Sequence, residues 1–197
     1  MDNNIYAVGI NASVPGGHSD KLLGKIARGM QQYTQNQKWG CTVRFVQLVG
    51  DEFNLPKFHR DLPQTKVVTK LINLLARADG IIYCTPVHWF GPSAEMQNLL
   101  SWLTLTEKGW RLEGKPVGLA ACCDTDGGQA AVSAMAATLN HLGCAIPPHC
   151  MFFENTTITG NIDLRGHEQK WMVDDATEVV GANVAQWAMI NKLYNIR

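Results

Sequence analysis

The chain has 197 residues, 46% hydrophobic and 17% charged, which suits a single globular domain over residues 1–197 with a sizeable core. Its 17 basic residues balance its 17 acidic ones, so it lacks the net field that favours nucleic acid or an acidic membrane, and we expect a small-molecule partner. The apolar runs are too short to predict a membrane span, and we see no secretion-type leader, so we expect a cytoplasmic protein. The six cysteines have no C-x-x-C spacing, which predicts reduced core thiols and no metal site.

The first half of the chain alternates between short apolar runs and helical patterns. Residues 5–10 (IYAVGI) predict a strand, and the apolar spacing that begins after Ser19 predicts a helix. Residues 42–49 predict a second strand. After a polar stretch that contains two prolines, residues 69–78 predict a helix and residues 80–86 predict a buried third strand.

The second half repeats this alternation. Its elements are a helix at 93–103, a strand at 115–122, a helix at 128–143, a proline-interrupted strand within 144–153 and a long helix at 166–195. Pro92 is expected at the first turn of the first of these helices, and Gly143 is expected to close the second. Five strands that alternate with five helices predict an α/β fold with a parallel sheet covered on both faces.

Three loops at the carboxyl ends of predicted strands differ from ordinary connectors. They are residues 11–20 (NASVPGGHSD), 85–93 (TPVHWFGPS) and 122–128 (CCDTDGG). Such loops converge on one edge of a parallel sheet, where ligands of these folds bind. In the first loop Ser13 and Ser19 offer hydroxyls, Gly17 permits close approach, and either Ser19 or Asp20 can cap the next helix. The free amides of that helix suit a phosphate monoester.

The second and third loops favour a planar heterocycle. His88, Trp89 and Phe90 place three rings where a connector is ordinarily polar, and the glycines of the third loop can bring backbone amides to the edge of a ring. A phosphate, a ring and a ring edge together indicate FMN. The candidate cofactor-binding residues are Ser13, Gly17, His18, Ser19, Pro86, Val87, His88, Trp89, Phe90, Asp124, Gly127 and Gly128. The sequence has neither G-x-G-x-x-G nor a P-loop lysine, which disfavours a dinucleotide fold of the usual kind and an NTPase.

These loops resemble those of the flavodoxin-like NADPH-dependent FMN reductases, which include the flavin domain of iron–sulfur flavoproteins and quinone-reductase relatives. The most specific likeness is to the pattern T-P-x-Y-W-F-x-x-x-A, matched at Thr85, Pro86, Trp89, Phe90 and Ala94. The resemblance covers almost the whole chain. It implies a flavodoxin-like three-layer sandwich with five parallel strands in the order 2-1-3-4-5. It also implies FMN as the cofactor, NADPH or NADH as the electron donor, and a homodimer or homotetramer.

The sequence also departs from the family pattern. The departures are Val14 where an arginine is often found, His18 for asparagine, His88 for tyrosine, Gln97 for lysine, and Ser101 and Trp102 for aspartate and arginine. Each lost charge-assisted hydrogen bond removes about 1.5 to 3 kcal/mol, so we expect weaker phosphate binding. No cysteine cluster accompanies the loops, which disfavours an iron–sulfur flavoprotein.

Each feature also has a purely structural interpretation. The glycines of the first loop fit a plain turn with Ser19 as the helix cap, and the aromatic pair fits core packing or a dimer contact. His88 fits a hydrogen-bonded structural histidine. Cys122 and Cys123 fit reduced packing thiols better than a redox pair, since adjacent cysteines seldom form an unstrained disulfide.

Two functional hypotheses follow. The leading one is an FMN-dependent oxidoreductase that transfers electrons from NAD(P)H to a quinone, a flavin or another small acceptor, with the chemistry on the flavin and no catalytic side chain. The alternative is a flavodoxin-like module that binds FMN or carries electrons without turnover. A scaffold with an empty pocket is the third possibility.

Overall fold

The computed structural model describes residues 3–50, 53–61, 63–157 and 166–196, and only the backbone of residues 166–173. Its elements in chain order are β1 (Asn4–Asn11), α1 (His18–Asn36), β2 (Gly40–Gln47), α2 (Lys66–Arg77), β3 (Gly80–His88), β4 (Gly91–Pro92), α3 (Ala94–Trp102) with a 3-10 turn (Leu103–Thr106), β5 (Val117–Cys123), α4 (Gly128–His141), β6 (Met151–Asn155) and α5 (Gly166–Tyr194).

The five long strands form one parallel sheet in the spatial order β2-β1-β3-β5-β6. The short strand β4 pairs antiparallel with the end of β3. The predicted α/β class and flavodoxin-like sheet are confirmed. The predicted order 2-1-3-4-5 holds for the long strands, but the two-residue strand β4, which the sequence did not predict, adds a sixth strand beside them.

Helices cover both faces of the sheet and create two cores, as a three-layer sandwich requires. On one face, Leu71 of α2, Met96 of α3 and Met135 of α4 are buried against the strands. On the other, Leu22 of α1 and Val184 of α5 are buried against them. Strand β5 is buried along its whole length, because it lies between neighbouring strands and beneath helices on both faces.

The helices α1 and α5 cross at two glycines. A Cβ on Gly29 of α1 would lie 2.7 Å from the Cα of Glu178, and a Cβ on Gly181 of α5 would meet the backbone of Ile26. The two backbones therefore touch without intervening side chains. This contact fixes where α1 lies on the sheet, and with it the loop that precedes α1.

Several element boundaries differ from the sequence prediction. Pro92 precedes the helix instead of opening it, because it belongs to β4 and the buried Ser93 is the N-cap of α3. Pro147 and Pro148 lie before β6 and do not interrupt it, since proline lacks the amide that a strand ladder uses. Gly143 has a φ of +87° and follows the end of α4, as predicted.

All six cysteines are free thiols, and five of them lie in the core as the sequence predicted. Burial raises the pKa of Cys122, Cys144 and Cys150 to about 12, so these thiols stay protonated at neutral pH. Cys41 is half-buried, and burial raises its pKa to about 11. Within the described ranges, no helix has the length and apolarity to cross a bilayer.

Candidate functional site

The first loop is held by a buried asparagine at the end of β1. Asn11 is 1% exposed, and its Oδ1 accepts hydrogen bonds from the backbone amide of Ser13 at 3.1 Å and from its hydroxyl at 3.0 Å. The Nδ2 of Asn11 donates to Oε1 of Gln47 at 2.9 Å, and Nε2 of Gln47 donates to the Ser13 carbonyl. Strands β1 and β2 thus fix the loop together. Asn11 is not among the predicted cofactor-binding residues.

The start of α1 presents backbone amides to the edge of the sheet. Gly17 is the N-cap, in an extended conformation and without a side-chain cap, so neither of the two predicted candidates, Ser19 and Asp20, is the cap. The Asp20 carboxylate instead accepts from the Gly16 amide at 2.8 Å, one residue before the cap. The amides of His18, Ser19 and Asp20 have no acceptor among the described residues. These donors and the positive end of the helix dipole make an anion site.

The second loop is a tight hairpin between β3 and β4 with two aromatic residues at its tip. Trp89 and Phe90 have φ of +50° and +63°, the positive values that a two-residue type I′ turn requires and that Asn-Gly ordinarily supplies. This conformation costs about 1 to 2 kcal/mol for each non-glycine residue. Trp89 is 97% exposed and Phe90 is 61% exposed. The aromatic pair therefore points outward under backbone strain.

Ser93 links the hairpin to the first loop. Its hydroxyl donates to the carbonyl of Ala12 at 3.1 Å, and its amide donates to the Pro86 carbonyl at 3.1 Å and to the Thr85 hydroxyl at 3.0 Å. Ser93 is fully buried. A single N-cap residue thus joins the start of α3 to the ends of β1 and β3, and connects the two loops.

The glycines of the third loop pack against protein. Gly127 has a φ of +90°, its amide donates to the carboxylate of Asp126, and a Cβ there would lie 2.8 Å from the Cα of Phe90. A Cβ on Gly128 would lie 2.5 Å from the ring of Phe153. Glycine is required at both positions by the close approach of the hairpin and of β6. The predicted role of these two glycines beside a ring edge stays a prediction.

Asp124 and Cys122 are the residues of the third loop that line the cleft, and Asp124 is held there by hydrogen bonds. Its carboxylate accepts from the Thr156 hydroxyl at 2.8 Å, and its carbonyl accepts from the Thr157 amide at 3.2 Å. Both partners follow β6, so the end of the edge strand holds this loop in place.

The three loops enclose a cleft of about 410 Å³ at the carboxyl edge of the sheet. Eight predicted residues line it: Ser13, Gly17, His18, Ser19, Pro86, Val87, His88 and Asp124. Four predicted residues lie outside its lining: Trp89, Phe90, Gly127 and Gly128. Six lining residues were missed: Ala12, Val14, Val49, Glu95, Cys122 and Thr156. Position alone could have found Val49 and Thr156, since each follows the carboxyl end of a strand.

The charge of the cleft is unusual for an anion site. Glu95 and Asp124 contribute carboxylates, His18 and His88 contribute imidazoles, and no lysine or arginine is found among its lining residues. An anion here is held by amides and the helix dipole. Two other cavities, of about 700 Å³ along the outer surface of α2 and about 230 Å³ beside Asp79, lie away from these loops.

Comparison with known proteins identifies the family. The sequence model of the family described as NADPH-dependent FMN reductase matches residues 5–157, which contain all three loops. The chain belongs to this family. Membership makes this FMN reductase family protein an NAD(P)H-dependent flavin oxidoreductase with FMN as its cofactor. No curated protein sequence matches the chain.

Several solved structures have the same fold as this protein of the FMN reductase family. RosB with bound 8-demethyl-8-formylriboflavin-5'-phosphate is 15% identical with a TM-score of 0.76, covering 96% of this chain and 81% of that one. An oxidoreductase from Corynebacterium diphtheriae is 14% identical with a TM-score of 0.72, covering 94% and 98%. The NAD(P)H:(acceptor) oxidoreductase FerB from Paracoccus denitrificans is 15% identical with a TM-score of 0.63, covering 92% and 98%.

The cleft of this family member suits FMN in size and in donor chemistry. Its volume of about 410 Å³ falls within the range of roughly 300 to 1,000 Å³ that small-molecule sites occupy. The amides of residues 18–20 match a phosphate, and apolar walls from Val49, Pro86 and Val87 match a planar ring system. Because no cationic side chain lines the cleft, backbone amides are the donors that its lining offers to a phosphate.

Proposed function

We propose that the protein transfers electrons from NADH or NADPH, through FMN, to a quinone, a flavin or another small acceptor. The observation that carries the proposal is the cleft in which the start of α1, residues 86–88 and Asp124 meet. When bound, FMN supplies the redox chemistry, and the chain supplies binding and orientation. We assign no acid or base to a side chain.

Each wall of the cleft has a separate task in this proposal. The amides of His18 and its two successors hold the phosphate, and Asn11 keeps the preceding loop in register. Pro86 and Val87 support the ring. Trp89 and Phe90 stand on the exposed hairpin next to His88, where they can cover an incoming donor or acceptor.

The first test is cofactor retention followed by turnover. Purified protein is incubated with FMN, freed of unbound ligand, and its absorption is recorded from about 300 to 550 nm, the region of the flavin bands. NADPH or NADH is then added without oxygen, and a benzoquinone is added last. We expect retained flavin bands, bleaching by the nicotinamide and recovery with the quinone. A colourless protein refutes the FMN site, and retained flavin that never bleaches favours the alternative of a non-catalytic FMN-binding module.

A matched pair of variants tests the amide site. His18 is the first residue of α1, where proline is tolerated, and Gly17 before it is already extended, as a residue before proline must be. H18P removes the amide and the imidazole, whereas H18A removes only the imidazole. A lost charge-assisted bond costs about 1.5 to 3 kcal/mol, so H18P should weaken FMN binding at least tenfold relative to H18A. Equal FMN affinities would contradict the role of the His18 amide.

We also propose a homodimer or homotetramer. Exposed aromatic residues at the hairpin tip and the exposed Trp187 of α5 supply apolar surface for such contacts. Light scattering after size exclusion measures the mass directly, and a monomer at micromolar concentration would contradict this assembly.

A further inference from the structure

Two buried thiols from neighbouring strands contact the same residue at the start of α1. The Cys84 thiol of β3 donates to the carbonyl of Ser19 at 3.0 Å. The Cys122 thiol of β5 lies beside the side chain of Ser19, and both residues line the cleft. Ser19 itself is 2% exposed, and it lies in the turn whose amides face the cleft.

We infer that Cys84 and Cys122 are positioning residues that hold the first turn of α1 so that its amides converge on the FMN phosphate. The inference rests on the proposed function. Gly17, the N-cap, makes no side-chain bond, so this turn is restrained by the Asp20 bond to the Gly16 amide and by contacts from the sheet. Ser19 is therefore held at its carbonyl by β3, and its side chain lies next to β5.

Cysteine suits this task because of its chemistry. A thiol is small and apolar enough for a fully buried strand position, yet its S–H still donates a weak hydrogen bond. Alanine at position 84 would leave the Ser19 carbonyl without this donor, and serine would keep one. Comparing alanine with serine at position 84 therefore separates the effect of the hydrogen bond from the effect of filling space.

Cys84 gives the cleaner test because it does not line the cleft, so it acts on a ligand through the start of α1, where it contacts the backbone of Ser19 and Leu23. The experiment measures Kd for FMN and for riboflavin, which lacks the phosphate, by quenching of flavin fluorescence. Wild type, C84A, C84S and C150A are compared. Cys150 is the matched control, a buried thiol in the same core that donates to the carbonyl of Val180 at 3.7 Å and is not among the cleft residues.

We expect C84A to bind FMN about three- to tenfold more weakly, the range that corresponds to one lost hydrogen bond. Its riboflavin Kd should change less than twofold, and both C84S and C150A should keep the wild-type preference for FMN over riboflavin. A purely structural role predicts equal weakening for both flavins. That result, or an unchanged FMN Kd in C84A, overturns the inference.

The wild-type measurement separates the two levels of failure. If wild type does not bind FMN, the proposed function falls and this inference falls with it. If wild type binds FMN and C84A binds both flavins as wild type does, only the positioning role fails. Should C84A not fold, as judged by circular dichroism, C122A and C122S are compared instead at the second thiol. Loss of the preference for FMN over riboflavin in C122A alone supports the inference. Equal behaviour of the two variants opposes it.

Discussion

Replacing Asn11 with alanine should both destabilise the fold and weaken FMN binding. The side chain makes three hydrogen bonds, two to Ser13 and one to Gln47, at 2.9 to 3.1 Å. A buried intramolecular hydrogen bond contributes about 0.5 to 1.5 kcal/mol, and an abandoned buried partner adds to the loss. Asn11 is almost fully buried, so water cannot replace these contacts. We expect N11A to lose about 2 to 4 kcal/mol of the free energy of unfolding.

The effect on binding follows from the loop. Without Asn11, the Ser13 amide loses its acceptor and the Ser13 hydroxyl keeps only the Val14 carbonyl, so the loop that leads into α1 is free to shift. We expect the Kd for FMN to rise at least tenfold. Urea unfolding measures the stability loss, and flavin fluorescence measures the affinity at a temperature where the variant remains folded.

Asn98 provides the matched control. Its side chain also makes three hydrogen bonds to a loop, accepting from the Phe58 amide and donating to the carbonyls of Leu55 and Pro56, but it does not line the cleft. N98A should lose a comparable amount of stability and keep FMN affinity within about threefold of wild type, because additivity holds between distant sites. The reasoning is refuted if N11A and N98A weaken FMN equally, or if N11A costs less than about 1 kcal/mol.

Three further predictions concern packing, strain and pH. The free energy of unfolding of G128A, measured in urea, should be about 1 to 3 kcal/mol below that of wild type because the new Cβ meets the ring of Phe153. Adding F153A should recover part of that loss. If the effects of the two substitutions are fully additive, the clash is contradicted. The free energy of unfolding of W89N should be about 0.5 to 1 kcal/mol above that of wild type, since Trp89 is exposed and asparagine tolerates its positive φ. A less stable W89N would show that Trp89 makes a stabilising contact. The free energy of unfolding should fall above pH 9, because unfolded thiols ionise there while the native Cys150 thiol, with its pKa raised to about 12 by burial, keeps its proton. This thiol contributes a slope of about 1.4 kcal/mol per pH unit. Urea unfolding of C150A should therefore show a shallower decline with pH than that of wild type.

The order of elements could be predicted because each depends on a local pattern. The apolar runs of β1, β3 and β5 are buried strands, and the spacing of apolar residues in α1 and α2 is helical, so alternation implied the parallel sheet. The position of the cleft followed from the same topology, since it lies where strands end. Eight of the twelve proposed cofactor residues came together for that reason.

The remaining features depend on residues far apart in the chain. The local sequence does not distinguish a glycine that makes room for a ligand from one that makes room for a neighbouring side chain. Position 128 requires glycine because the ring of Phe153, 25 residues later in the chain, packs against it. Trp89 and Phe90 form a turn that ordinarily carries Asn-Gly, so no turn signal announced β4. Asn11 is visible as a loop anchor only when Gln47 is placed beside it.

An anion site built from main-chain donors changes the way in which such a sequence can diverge. Every residue except proline carries an amide, so His18 can replace the asparagine of the family pattern and Val14 can replace an arginine while the first turn of α1 keeps its donors. The side chains at these positions can therefore change while the donors of the anion site stay in place, held by the extended Gly17 and the buried Asn11.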